Sequence, residues 1–237
     1  MNKEAEEITS SGFTIIENIY TENEIEALIS RINSVDKSNS LFRKTNDLFA
    51  IRQFLKEVPA IKDLVFNNRL KEIINKLFDD SYFIVKSIYF DKPPQSNWFV
   101  ACHQDLTISV KEKTEHPGFG PWTVKHNQFG VQPPLTILKD NFTVRIHLDD
   151  TDEDNGALNV ICGSHLKGIY RPETVDRTIE KEVACSVKKG GIMIMRPLLL
   201  HASGRTRNEA RRRVIHIEFS RMGLPEGMEW AEYESVV

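Results

Sequence analysis

The sequence predicts a mainly β domain with a helical N-terminal part, and three features of the 237-residue chain carry that expectation. Apolar residues recur at threes and fours up to Phe78, β-branched and aromatic residues gather in short runs from Tyr82 onward, and Gly, Pro or charge clusters separate those runs. Helices first and then about eight short strands suit an antiparallel sandwich or barrel with helices packed outside one sheet. The length suits a single domain over 1–237, with 1–80 as mostly helical support and 82–220 as the β core, ample to bury a core without a disulfide or metal.

In chain order, Gly12 to Ile19 reads as a short strand, and Thr21 with Glu24 forms a capping box for a helix carrying Ile25, Leu28, Ile29 and Ile32 on one face. Ser34 to Asn46 is polar and irregular; Leu48 to Leu55, Ala60 to Val65 and Leu70 to Phe78 follow a helical period. Tyr82 to Phe90 opens the strands. Lys111 to Pro134 is long, polar and punctuated by Pro and Gly, which predicts an irregular lid over an active site. Further strands are expected at Phe142 to Leu148, Ala157 to Ile161, Val183 to Val187, Ile192 to Met195, Leu198 to His201 and Val214 to Phe219, with an acidic turn at Asp149 to Gly156.

Composition excludes some partners. A formal net charge of -3 gives no positive excess for nucleic acid or an anionic membrane surface. Three cysteines in no motif spacing read as free thiols in a reducing compartment, and the acidic N-terminus has no secretory pattern, so a cytoplasmic protein is expected. No apolar run approaches the roughly 20 residues of a membrane helix.

The chemistry centres on His103-Gln104-Asp105. On an extended segment residues i and i+2 share a face, so an imidazole and a carboxylate point the same way. They supply two thirds of the facial triad that holds non-haem iron(II) with open positions. Of the other histidines, His116 and His126 lie in the polar loop, His165 in a turn, and His147 and His216 inside strands. His201 ends the apolar run Leu198-Leu199-Leu200 and opens the small-residue turn Ala202-Ser203-Gly204, which suits a ligand fixed in direction beside a cavity. Eleven residues on, Arg212 leads into a strand, and a guanidinium fork matches a carboxylate co-substrate. Arg212 also belongs to a cluster with Arg205, Arg207, Arg211 and Arg213 that would serve equally as a solvated face or a phosphate contact, and spacing does not separate Arg212 from Arg213.

The chain resembles the phytanoyl-CoA dioxygenase-like branch of the iron(II)/2-oxoglutarate-dependent oxygenases. The residues that carry the resemblance are Asn97-Trp98 before His103-Gln104-Asp105, the block Thr143 to Asp150, Asn155-Gly156 with Gly163-Ser164-His165, and His201-Ala202-Ser203 followed by Arg212, over roughly Gly12 to Phe219. The resemblance implies a double-stranded β-helix, with His103, Asp105 and His201 as iron ligands, and Arg212 and Ser203 on the distal carboxylate of 2-oxoglutarate. It further matches Lys86 to a 2-oxoglutarate contact and Trp122 to an aromatic of that pocket. Thr143 belongs to the same co-substrate set and shares a strand face with Arg145 and His147. If that face is the cavity, Arg145 binds co-substrate or an acidic substrate; otherwise it faces solvent.

Such a site takes Fe(II), 2-oxoglutarate and O2, releases succinate and CO2, and hydroxylates an unactivated C–H bond of a small molecule or an acyl thioester. A carboxylate at Asp105, where related halogenases carry a small residue, favours hydroxylation. Two alternatives stay open from the residues alone: a zinc-dependent hydrolase, which has no use for Arg212, and a non-catalytic cupin-like binding protein.

Overall fold

A computed structural model describes residues 2–35, 42–47, 49–125 and 128–235. The chain is mainly antiparallel β-sheet with helices gathered toward its N-terminal end. A large sheet runs, in spatial order, Phe13–Ile16, Ile192–Met195, Phe142–His147, Arg212–Ser220, Phe83–Lys92, Phe49–Arg52 and Phe42–Lys44, with Glu234–Ser235 added to the far end of Phe83–Lys92. A smaller sheet runs Glu182–Cys185, Leu158–Ile161, His201–Ser203 and Val100–His103. A third set, Ile108–Val110, Gln128–Val131 and Trp122–Lys125, stands apart.

The period of two along each central strand decides which residues face which layer. Phe142, Val144 and Ile146, with Ile215, Ile217 and Phe219, pack against the helices Glu22–Asn33, Phe54–Glu57, Lys62–Val65 and Asn68–Phe78. Phe78, Phe142 and Phe219 stack at this interface, with ring centroids 3.6 Å and 4.7 Å apart. The intervening residues Arg145, Arg212, His216 and Glu218 face the smaller sheet. A bulge at Val85 is essential to this arrangement. The register steps from Glu218↔Lys86 to Phe219↔Ile84, so Ile84 joins the helical core while Lys86 is turned to the opposite face. The sheets are joined by Leu158, Val160, Cys185, Met193, Met195 and Leu199.

The expected capping box is present: Thr21 accepts from the Glu24 amide, and Glu24 accepts from the Thr21 amide. Three expectations need correction. Leu48 to Leu55 was expected to be helical, but Phe49–Arg52 is a strand on the edge of Phe83–Lys92, and only Phe54–Glu57 is helical; Leu48 itself lies outside the described residues. Pairing along a long buried strand outweighs a weak helical period there. Lys111 to Pro134 is not an irregular lid. It holds the hairpin Trp122–Lys125 and Gln128–Val131, which pairs back on Ile108–Val110, and none of its described residues lines the cavity described below. The expected strand Leu198 to His201 begins only at His201, because the Leu199 amide bonds back to the Arg196 carbonyl in a turn.

The C-terminal segment is fastened to the central strand by Glu232, which accepts from the Ser87 amide at 2.7 Å and the Ser87 hydroxyl at 2.5 Å. Burial pushes this carboxyl up to about 7, against the pull of the Ser87 hydrogen bonds. A folded value above the unfolded one costs stability as pH rises: the penalty is absent below about 4.5, grows up to about 7 and is complete above it. Glu232→Gln resembles the protonated carboxyl, so its Tm relative to the unsubstituted protein should rise between pH 5 and pH 8; a pH-independent difference in thermal unfolding would contradict this. Phe142→Ala should cost about 3–5 kcal/mol in urea unfolding, since it empties the centre of the aromatic stack.

Candidate metal and co-substrate site

His103 is the last residue of Val100–His103 and is register partner to His201, the first residue of His201–Ser203, so strand pairing sets two imidazoles side by side with centroids 4.4 Å apart. The chain then continues past His103 under tight control. Asp105 donates its amide to the Pro197 carbonyl, and Gln104 points the other way into the protein. The Gln104 carboxamide donates to the carbonyls of Gly168 and Leu198 and accepts from the Tyr170 amide. Pinned in this way, Asp105 sets Oδ1 3.7 Å from His103 Nε2 and Oδ2 3.8 Å from His201 Nε2.

These three groups fit a cation by the chemistry of their donors. Each histidine commits Nδ1 to a carbonyl, His103 to Ala101 at 2.8 Å and His201 to Leu199 at 2.9 Å. A carbonyl only accepts, so Nδ1 carries the hydrogen in both rings and Nε2 is the atom turned toward Asp105, where a cation would displace any proton from the His103 ring that Asp105 favours. Burial drives the His201 imidazolium down to about 4, against the attraction of Asp105, so that ring is neutral and able to ligate at neutral pH. Burial works against the charge of Asp105 too, but His201, the His103 hydrogen bond and Lys86 outweigh it and hold the carboxyl well below the usual range.

A second trio, Asp105, His216 and Glu218, has comparable spacing. Its donors are already used. Lys86 Nζ sits 2.7 Å from Glu218, His216 Nε2 bonds the same carboxylate at 3.1 Å, and Arg145 bonds His216 Nδ1 at 3.0 Å. The open lone pairs are those on the His103 side.

The site occupies a cavity of about 190 Å³ between the sheets, lined by Lys86, Arg145 and Arg212 as cations and Asp105 and Glu218 as anions, with Phe90, Trp98 and Val100 among its apolar walls. The three arginines at 211–213 have different surroundings. Arg211 is paired with Asp91 and Arg213 with Asp149, on the opposite face of the strand. Arg212 is buried and has no carboxylate among the described residues: it donates to the Gly156 carbonyl, lies 3.4 Å from Ser203 Oγ, and leaves Nε without a partner. Gly156 has φ +87, and a Cβ there would come within 2.7 Å of Lys92 Nζ. Lys92 lies opposite Arg212 in the register and donates to the Gly204 carbonyl. Two basic groups facing each other in a buried sheet, Arg212 fully charged and Lys92 lowered to about 7 by burial and by Arg212, would both be relieved by an anion there.

The remaining expected site residues divide. Ser203 lines the cavity beside Arg212, and Lys86 lines it with its ammonium held by Glu218. Trp122 does not line it; on its hairpin it packs against the separate cluster around Ile108 and Val131, with Lys113 Nζ 6.0 Å from its ring. Thr143 does not line it either: its hydroxyl is sealed between Glu218 and Met195 in the register, two residues beyond Arg145. Arg145 does face the cavity, and His126 lies outside the described residues. Trp98, His216 and Glu218 were missed as cavity residues, although the alternation that carries Arg212 inward carries His216 and Glu218 with it.

The sequence model of the family described as Phytanoyl-CoA dioxygenase (PhyH) matches residues 8–214. The chain belongs to the phytanoyl-CoA dioxygenase family. Members are iron(II)/2-oxoglutarate-dependent oxygenases, and the His-Asp-His trio and the unpartnered Arg212 are the features such cofactors need. No curated protein sequence matches the chain. Among solved structures it is similar to the non-heme alpha ketoglutarate dependent carbocyclase SnoK from nogalamycin biosynthesis, with 16% identity over 93% of this chain and 84% of that one and a TM-score of 0.69. It is similar to EctD from S. alaskensis with 2-oxoglutarate and 5-hydroxyectoine, with 17% identity over 93% and 76% and a TM-score of 0.71. It is also similar to HygX from Streptomyces hygroscopicus with nickel, 2-oxoglutarate and hygromycin B bound, with 12% identity over 100% and 98% and a TM-score of 0.68. Identities this low speak for the fold.

Arg212→Gln should weaken 2-oxoglutarate binding by about 30-fold or more while leaving metal affinity in place, because a buried charge partner is worth roughly 2–5 kcal/mol. Arg213→Gln, on the other face, should leave 2-oxoglutarate binding within about threefold; calorimetric titration of both variants decides between neighbours that the sequence does not separate.

Proposed function

We propose that this chain is an iron(II)- and 2-oxoglutarate-dependent dioxygenase that hydroxylates an unactivated C–H bond of a small organic molecule or acyl thioester, working as one domain on a double-stranded β-helix in the cytoplasm. The observation that carries this is the sharing of one cavity by a His103–Asp105–His201 triangle, with both Nε2 atoms turned to the Asp105 carboxylate, and a buried Arg212 without a carboxylate among the described residues. A zinc hydrolase needs the first feature but not the second. The free state of Cys102, Cys162 and Cys185 agrees with a reducing compartment, and no helix among the described residues is long and apolar enough to cross a membrane.

His103, Asp105 and His201 would hold the iron on one face, leaving its other positions open. An iron bound there would supply the oxidising power for C–H cleavage, with O2 as oxidant and 2-oxoglutarate decarboxylated to succinate and CO2. Arg212 with Ser203 fixes the distal carboxylate of the co-substrate by a fork of N–H donors and a hydroxyl. Gln104 keeps Asp105 from turning away, and the Ala101 and Leu199 carbonyls hold both imidazoles in one tautomer, so the ligand set is preorganised. Phe90, Trp98 and Val100 exclude water from the reacting end. At about 190 Å³ the cavity is smaller than the roughly 300–1,000 Å³ of ordinary ligand pockets, so the co-substrate shares it with only the attacked end of the substrate, whose remainder extends out on the His103 side, where that side chain is 40% exposed. The polar ligands named with EctD and HygX support a small polar substrate.

Anaerobic Fe(II) with 2-oxoglutarate should give a visible charge-transfer band that Asp105→Ala and His201→Ala lose, and air should then release succinate in the unsubstituted protein only. Retention of the band by both variants would sink the ligand assignment. SnoK is named a carbocyclase, so hydrogen abstraction without hydroxyl transfer is the alternative outcome; a product heavier by one oxygen atom supports hydroxylation.

A further inference from the structure

Arg145 is the one cation of the cavity whose charge has no evident counterpart. Lys86 is closed on Glu218 at 2.7 Å. If the proposed function holds, Arg212 matches the distal carboxylate of 2-oxoglutarate, and Fe(II) with Asp105 retains one positive charge that the chelating carboxylate matches. Lys92, beside Arg212, is pushed by burial and by that arginine down to about 7 and so sheds much of its charge at neutral pH. Arg145 is left. Burial lowers it only to about 10, so it stays a cation, and it lines the same cavity as the metal site and Arg212, close enough to feel the charges of Asp105 and Arg212.

The way Arg145 is held is unusual for a buried guanidinium. Its one hydrogen-bond partner among the described residues is His216 Nδ1 at 3.0 Å, and its Nε has none. Arginine only donates, so Nδ1 accepts, and Nε2 therefore carries the hydrogen directed at Glu218 3.1 Å away. An imidazole in this tautomer orients the guanidinium without neutralising it. A carboxylate there would have done both. The fork is thus aimed into the cavity with its charge intact and donors to spare, an arrangement that leaves a cost unless an anion arrives.

Resting on the function proposed above, we infer that the primary substrate is an anion, of the carboxylate class, and that Arg145 pairs with it beside the metal. The Lys86–Glu218–His216 chain acts behind Arg145 as a positioning strut. This limits the substrate to molecules with a carboxylate close to the C–H bond attacked, since Arg145 and the His103–Asp105–His201 triangle line the same small cavity.

The test uses intact protein loaded anaerobically with Fe(II) and saturating 2-oxoglutarate, titrated with acetate, hexanoate and benzoate and with the matching amides, and read by the charge-transfer band and by thermal stability. The carboxylates should bind at least about tenfold more tightly than their amides, and Arg145→Gln should erase that preference while changing 2-oxoglutarate affinity by less than about threefold. Arg145→Lys, which keeps the charge, should keep most of the preference. Equal binding of acids and amides by the unsubstituted protein overturns the inference with no variant needed, as does failure of every probe to bind. A loss of 2-oxoglutarate affinity in Arg145→Gln as large as that in Arg212→Gln also overturns it, assigning Arg145 to the co-substrate. Absence of 2-oxoglutarate binding in the first titration is a different failure: it removes the proposed function, and this inference with it.

Discussion

The two-residue period of a β-strand governs this protein, because it lets one sheet be oily on one face and charged on the other. Phe142, Val144, Ile146, Ile215, Ile217 and Phe219 give the helices a continuous apolar surface. Arg145, Arg212, His216, Glu218 and, through the Val85 bulge, Lys86 occupy the opposite face. A polar layer between two sheets is costly to desolvate, and the structure tolerates it only because the groups are mutually bonded or reserved for ligands. Most of the apolar core sits on the helical side, while the other face divides between the buried Met193 and Met195 that join the two sheets and the polar groups of the cavity.

The smaller sheet contributes direction. Its pairing of His103 with His201 sets the imidazoles abreast, while the polypeptide beyond His103 is held by backbone and by Gln104. Gln104 is thus as much a part of the motif as its neighbours: with its side chain buried and fully bonded, Asp105 has no alternative direction to adopt.

Much of this was legible in the sequence, for identifiable reasons. Long alternating runs such as Phe142–His147 and Arg212–Ser220 announce themselves, and so does a capping box such as Thr21 with Glu24. That His103, Asp105 and His201 come together was expected from i, i+2 spacing, a small-residue turn and the family resemblance, and the structure brings their ligand atoms within one small cluster. What was not legible depends on contacts made at a distance. Phe49–Arg52 is a strand only because Phe83–Lys92 offers it an edge, and Trp122 reads as a pocket aromatic until the hairpin carries it to another cluster. Arg211, Arg212 and Arg213 are alike as letters; strand parity and the positions of Asp91 and Asp149 make two of them structural and one free.

The same reasoning explains why the cavity holds histidine and lysine where simpler ion pairs would have been more stable. A carboxylate beside Arg212 or Arg145 would neutralise the charge that a carboxylate ligand needs. The carbonyls of Gly156 and Gly204, the Ser203 hydroxyl and His216 Nδ1 instead bond the cations while leaving their charge unmatched. Neutral acceptors hold the donors in place at less benefit to the empty protein, and the deficit is recovered when an anion binds. Gly156 follows from this requirement. Only a residue without Cβ brings its carbonyl to Arg212 in a left-handed turn while leaving Lys92 room at the same spot.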